Sequence, residues 1–162
     1  MHLVTFAALA EFPDRLEAHF HAFAPAHRQW SPPSWAGSPS EDFTALEQIC
    51  HVRDIEIDGY QVRFNRTVTE DHPFLPGVNG FALRDERGYA EAEPDEVLAA
   101  FRAARQRTLS LLEGLTSEQW TRTAEFEDYG PTTVLGLMHY LSSHDQQHLA
   151  GLQWLLGKTN AA

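Results

Sequence analysis

The chain is 162 residues long, 43% apolar and 22% charged, which suits one globular domain over 1–162 and is short for two. Lys and Arg total 12 against 23 Asp and Glu, a formal net charge of −11. That balance repels phosphate backbones and acidic lipid surfaces, so the expected partner is a small-molecule substrate, with no nucleic acid and no membrane. Cys50, the one cysteine, has no internal disulfide partner, and a cytoplasmic location is expected. The opening MHLVTFAALAEFPDRLEAHF meets Glu11, Asp14 and Arg15 too early for a signal peptide or membrane span.

Phe12, Leu16, Phe20 and Phe23 recur at spacings of four and three and predict an amphipathic helix that ends before Pro25, with Pro13 in its first turn or kinking it. HRQWSPPSWAGSPS has no period and reads as a surface connection. A second helix is expected from Ser40 or Glu41 to about Glu70, with Phe43, Leu46, Cys50, Ile57, Tyr60 and Phe64 as its core stripe. Residues 71–91 hold two Pro and three Gly and form a long connection suited to covering one end of the core. Pro94 opens a third helix with Leu98, Phe101, Leu111, Leu112 and Leu115 inward, ending near Gly114. Thr116 and Gln119 form a capping box for a short turn, and 121–131 turn back. The last helix begins near Thr132 or Thr133 and stops at Gly157. Four one-sided helices bury their stripes most economically as an all-α, antiparallel four-helix bundle.

Nine histidines stand out. In the last helix the stripe runs Leu137, Leu141, His144, His148, Leu152 and Leu155, so two imidazoles occupy positions that otherwise present leucine. Residues four apart lie about 40° from each other around the axis, which lets both rings reach one ion. Nine histidines would produce on the order of half such a pair by chance, so spacing alone decides little. Location adds weight: inward imidazoles need buried partners, and a shared cation satisfies one nitrogen of each. Satisfied core histidines are the alternative.

A third ligand is expected from the second helix, where His51 follows Cys50, with Asp54 as acceptor for its other ring N–H. The competing reading is a boundary histidine paired with Glu47 or Asp54. His139 falls on a different face, about 140° from His144, and reads as a boundary residue. His19, His21 and His27 cluster where the first helix ends. His2 and His72 read as terminal and loop residues, with a pocket mouth as one place for His72.

TALEQICHVRDIEIDGY and, much later, GPTTVLGLMHYLSSHDQQHLAGLQWLL together resemble the DinB-like, YfiT-type superfamily of small metal-binding four-helix bundles. The likeness covers nearly the whole chain and includes Trp30 to Pro32 ahead of the second helix. It implies a divalent ion on His51, His144 and His148, the three residues already reached from periodicity. It also implies thiol-dependent transferases and isomerases among the relatives, using a low-molecular-weight thiol such as bacillithiol or mycothiol.

Three neutral imidazoles leave positions open on an ion, zinc or nickel first, which suits Lewis-acid chemistry with thiol or water as nucleophile. HDQQH parallels the H-E-x-x-H pattern, but Asp145 is one methylene short of that base and is expected at the surface or just behind the ligands. Arg53 and Tyr60 are candidate substrate contacts, and Trp30, Trp35, Phe74 and Phe81 candidate roofing. Cys50 should be a buried, inert thiol. A metal-dependent enzyme with an open tri-histidine site is the leading expectation, thiol S-transfer being one activity open to it, with a metal-dependent hydrolase or a non-catalytic metal-stapled interaction protein as alternatives. A metal-free helical dimerisation module is the third class, and a homodimer remains an open expectation.

Overall fold

A computed structural model describes residues 3–160. Its first helix, α1 (Leu3–His21), buries Leu9, Phe12, Leu16 and Phe20 along the predicted stripe. It starts about two and a half turns before Phe12, where that stripe was expected to begin, so Pro13 lies in the helix interior and not in its first turn. Proline has no N–H to offer the carbonyl four residues back. That carbonyl, Leu9 O, instead accepts from Arg105 Nη1 at 2.9 Å.

The second long helical segment begins at Ala45, later than the predicted Ser40 or Glu41, because Thr44 is the cap. Thr44 N–H donates to Glu47 Oε2 at 2.8 Å while Thr44 Oγ1 accepts from Glu47 N, a reciprocal capping box. The segment runs through α2 (Ala45–Asp54), a π-helical stretch (Ile55–Tyr60) and α3 (Gln61–Thr69). The wider π turn shifts which residues face inward. Glu56 is buried, whereas Ile57, expected in the core, is only half-buried.

Within 71–91 lie β1 (Phe74–Leu75), the helix α4 (Gly80–Arg87), capped by Asn79, and a 3₁₀ turn at Tyr89–Glu91. α5 (Pro94–Glu113) starts at Pro94 as expected and buries Leu98, Phe101 and Leu112, but also Ala104, Arg105 and Thr108. Leu111 and Leu115 are only half-buried. The Thr116 capping box with Gln119 forms and starts α6 (Ser117–Trp120). α7 (Val134–Thr159) is capped by Thr133 and runs through Gly157.

The fold is mostly helical but not all-α. The expected turn at 121–131 is a hairpin, β2 (Thr123–Phe126) and β3 (Gly130–Thr133), antiparallel to each other, with β1 parallel to β2. Only Ala124 and Phe126 point inward from β2, too few residues for a two-residue period to be legible. Among the described residues no helix is long and apolar enough to cross a membrane.

α1 packs on α5 and α7, and α2 on the same two helices. The core has two apolar clusters. One includes Phe12, Phe20, Ile49, Val52, Phe101 and Leu149 to Leu155; the other includes Leu9, Ile55, Phe64, Leu109, Phe126 and Val134 to Leu141. Each long helix from α2 onward turns polar at the junction, with His51, Asp54 and Glu56 on the second segment, Arg105 on α5, and His144, Asp145 and His148 on α7. This belt positions the site.

Candidate metal centre

His51, His144 and His148 converge at the belt, with one ring nitrogen from each lying within 4.8 Å of the other two. His144 Nε2 is 3.3 Å from His51 Nε2 and 3.1 Å from His148 Nε2. Two nitrogens bound to one ion at tetrahedral angles, each about 2.05 Å from it, lie about 3.3 Å apart. Both of these spacings are close to that edge, and the third pair lies within 4.8 Å, so the donor set fits a divalent ion.

The ring protons fit as well. Gln48 Nε2 donates to Ser40 Oγ at 2.7 Å and Phe43 O at 3.3 Å, which leaves Gln48 Oε1 as acceptor for His148 Nδ1. His148 therefore carries its proton on Nδ1 and turns the Nε2 lone pair toward the other two rings. Burial lowers all three imidazole pKa values, His51 to about 4 against a smaller upward pull from Asp54. His144 and His148 are likewise held well below the ordinary imidazole value, by burial first and then by their neighbours: His51, Arg105 and Arg63 for His144, and His144 and His51 for His148. The rings are neutral near pH 7, as ligation requires.

His51 Nδ1 is buried without a hydrogen-bond partner. Asp54, its expected acceptor, is engaged elsewhere, taking Arg53 Nε at 2.7 Å, Arg87 Nη1 at 3.0 Å and the Tyr89 hydroxyl at 2.7 Å. Glu47 serves the α2 cap and is not a partner either. What holds His51 is packing. Phe43 lies against its ring at 5.1 Å, and a Cβ on Gly80 would come within 2.5 Å of its Cε1, so the start of α4 approaches closely only because residue 80 is glycine.

Asp145 is neither at the surface nor behind the ligands as expected. It projects about 100° away from His144 around α7 and pairs with Arg105, whose five N–H groups are all used: two on Glu56, two on Asp145 and one on Leu9 O. Burial raises Asp145 to about 7 despite that pairing. Arg53 is spent on Asp54 and leaves Tyr60 as the expected contact that reaches the site. Cys50 is buried, its thiol pushed up to about 12 mainly by desolvation, and is inert.

A cavity of about 200 Å³ opens against His51 and His144. Its walls include Tyr60 and Arg63 from the second segment, Gly77 and Val78 from the 71–91 connection, Phe126, Asp128 and Tyr129 from the hairpin, and Glu41. The connection thus lines one side of the site. None of the four expected roofing aromatics is on this wall: Trp35 stacks on Trp154, Phe81 packs on Phe43, Trp30 joins the core and Phe74 is exposed. Arg63, Glu41 and the hairpin residues escaped sequence reading. The one available signal for Arg63 was its place one turn after Tyr60.

The other histidines stay away from the cluster. His139 is exposed and meets Thr5 Oγ1, His19 bonds Arg15 O, His21 lies near Glu17, and His27 is exposed. His72 bonds Thr123 Oγ1 at a separate shallow groove. His2 lies outside the described residues.

A comparison with curated proteins gave no match. Among solved structures the chain is similar to YfiT from Bacillus subtilis, described as a probable metal-dependent hydrolase with an unusual four-helix bundle topology; the TM-score is 0.83 at 21% identity, over 96% of this chain and 86% of that one. The family model of the DinB superfamily matches residues 8–152. The chain belongs to the DinB superfamily.

Proposed function

We propose that this protein is a metal-dependent hydrolase that holds one divalent ion, zinc or nickel, on His51, His144 and His148 and acts on a small molecule in the adjoining cavity. The observation that carries the reading is the convergence of three neutral imidazoles beside an open cavity, with the His148 tautomer set by Gln48. Three uncharged ligands leave an ion its full charge and open positions, so it would supply a Lewis acid that brings the pKa of a bound water toward neutrality.

The chain's own groups surround that position with distinct tasks. Glu41 Oε2 lies 3.5 Å from His148 Nε2 and is buried without a hydrogen-bond partner, which makes it the carboxylate placed to take a proton from the attacking water. Tyr60 is pushed well above the usual phenol range by burial, keeps its hydroxyl proton and can donate to a substrate oxygen. Phe126 and Val78 give the cavity an apolar wall.

Two further readings rank lower. About 200 Å³ has room for one small molecule, which favours water as second reactant over the low-molecular-weight thiol of an S-transferase. A metal staple without catalysis has no use for a cavity reaching two of its ligands. We place the enzyme in the cytoplasm, where Cys50 stays reduced.

Metal content of untagged protein, followed by turnover of small esters, amides and lactones before and after chelation, tests the proposal. One ion per chain and chelator-sensitive turnover are expected. Protein without metal, or turnover that survives chelation, contradicts it.

A further inference from the structure

We propose that Arg63 sets the specificity of this cavity and that the substrate is a small molecule carrying one carboxylate, which Arg63 neutralises while the reacting bond faces the histidine cluster. The inference rests on the hydrolase reading for its metal but on Arg63 itself for its substrate class.

Arg63 is only 5% exposed, yet it lines the cavity beside His51 and His144. A buried cation is costly unless it is paired. Among the described residues Arg63 makes no ion pair: one hydrogen bond runs from Nη2 to Pro76 O at 3.2 Å, and Nε is buried without a partner. Its guanidinium sits over the rings of Phe126 at 4.4 Å and Tyr60 at 5.0 Å, which compensates only part of the desolvation. Burial accordingly pulls its pKa down, opposed by the two tyrosines Tyr60 and Tyr129 and by no carboxylate. Arg105 in the same belt shows what a structural buried arginine looks like here, with both of its carboxylates supplied by the chain.

The positive charge of Arg63 reaches the site, since Arg63 shares one cavity wall with His51 and His144. Guanidinium and bound ion would face one small space, and an anionic ligand would answer both. The cavity also selects the kind of anion. Glu41 and Asp128 line it and outnumber Arg63 while no ion is bound, so metal-free protein disfavours a dianion such as phosphate more than a monoanion. A planar guanidinium matches a planar carboxylate.

Calorimetric titration of sodium benzoate, the uncharged isostere benzamide and inorganic phosphate, into both zinc-loaded and metal-free protein, tests this. Benzoate should bind at least about tenfold more tightly than benzamide in both forms, and than phosphate in metal-free protein. Arg63→Met should erase the preference over benzamide, and Arg63→Lys should keep part of it; circular dichroism and zinc content identify folded variants. Equal binding of benzoate and benzamide to the wild-type protein overturns the proposal without recourse to any variant, as do, in metal-free protein, a preference that survives in Arg63→Met and tighter binding of phosphate. Failure of zinc to bind would strike the hydrolase reading alone, because the Arg63 preference is also read on metal-free protein.

Discussion

Two polar groups share the belt between the apolar clusters, side by side on α7, and they are satisfied in opposite ways. The Arg105, Glu56 and Asp145 cluster is closed: every guanidinium N–H has a partner, and both carboxylates are engaged. One residue earlier in the chain, His144 belongs to a group left incomplete, with three ring nitrogens facing each other, an orphaned His51 Nδ1 and an orphaned Glu41 Oε2. Buried polar atoms are normally paired, so the closed cluster has a structural role and the open one is where a ligand completes the set. Arg63 stands on the open side by the same criterion.

The largest effect should come from breaking the closed cluster. Arg105→Met leaves two carboxylates buried side by side and should cost about 3–5 kcal/mol in urea denaturation. A loss below about 1 kcal/mol would mean that the charges do not depend on each other and would remove the contrast. On the open side the effect should fall on metal and not on folding. His144→Ala should weaken zinc binding more than about 100-fold, beyond what loss of a supporting residue does. Gln48→Leu, which frees the His148 tautomer, should weaken zinc binding by about 10–100-fold, and unchanged affinity would remove Gln48 from the account.

A smaller effect concerns pH in metal-free protein. Burial holds the imidazoles below their ordinary value, His51 at about 4, so between about pH 6.5 and 4 the unfolded chain binds protons that the folded chain refuses. Stability therefore falls on acidification, by up to about 1.4 kcal/mol per pH unit for each histidine. Asp145, raised to about 7, works in the opposite direction, since its proton is bound more tightly in the folded chain. The comparison is thus made between wild type and His51→Gln, whose stability should fall less steeply over this window; parallel slopes would show that His51 is not held neutral.

The long helices and the three converging histidines were legible because apolar period and a break in it are local signals. Leucine positions occupied by His144 and His148 marked the belt on α7, and His51 marked it on α2. The closed cluster was not legible, because Glu56, Arg105 and Asp145 look like surface charges until three helices bring them together. The π stretch at Ile55–Tyr60 added to this by burying Glu56 and leaving Ile57 half-buried, against any uniform helical period. Asp54 shows the same limit in reverse: its spacing from His51 was right, but Arg53, Arg87 and Tyr89 compete for it. The hairpin was missed because two inward residues carry no readable alternation, and with it went Phe126, Asp128 and Tyr129 of the cavity wall.

The most direct test of the open cluster is the metal content of untagged wild-type protein, His144→Ala and His139→Ala, measured side by side after purification with added zinc. One ion per chain in wild type and in His139→Ala, with almost none in His144→Ala, is the predicted pattern, because His139 lies exposed on another face of α7. Equal metal in all three proteins, or none in the wild type, would contradict it.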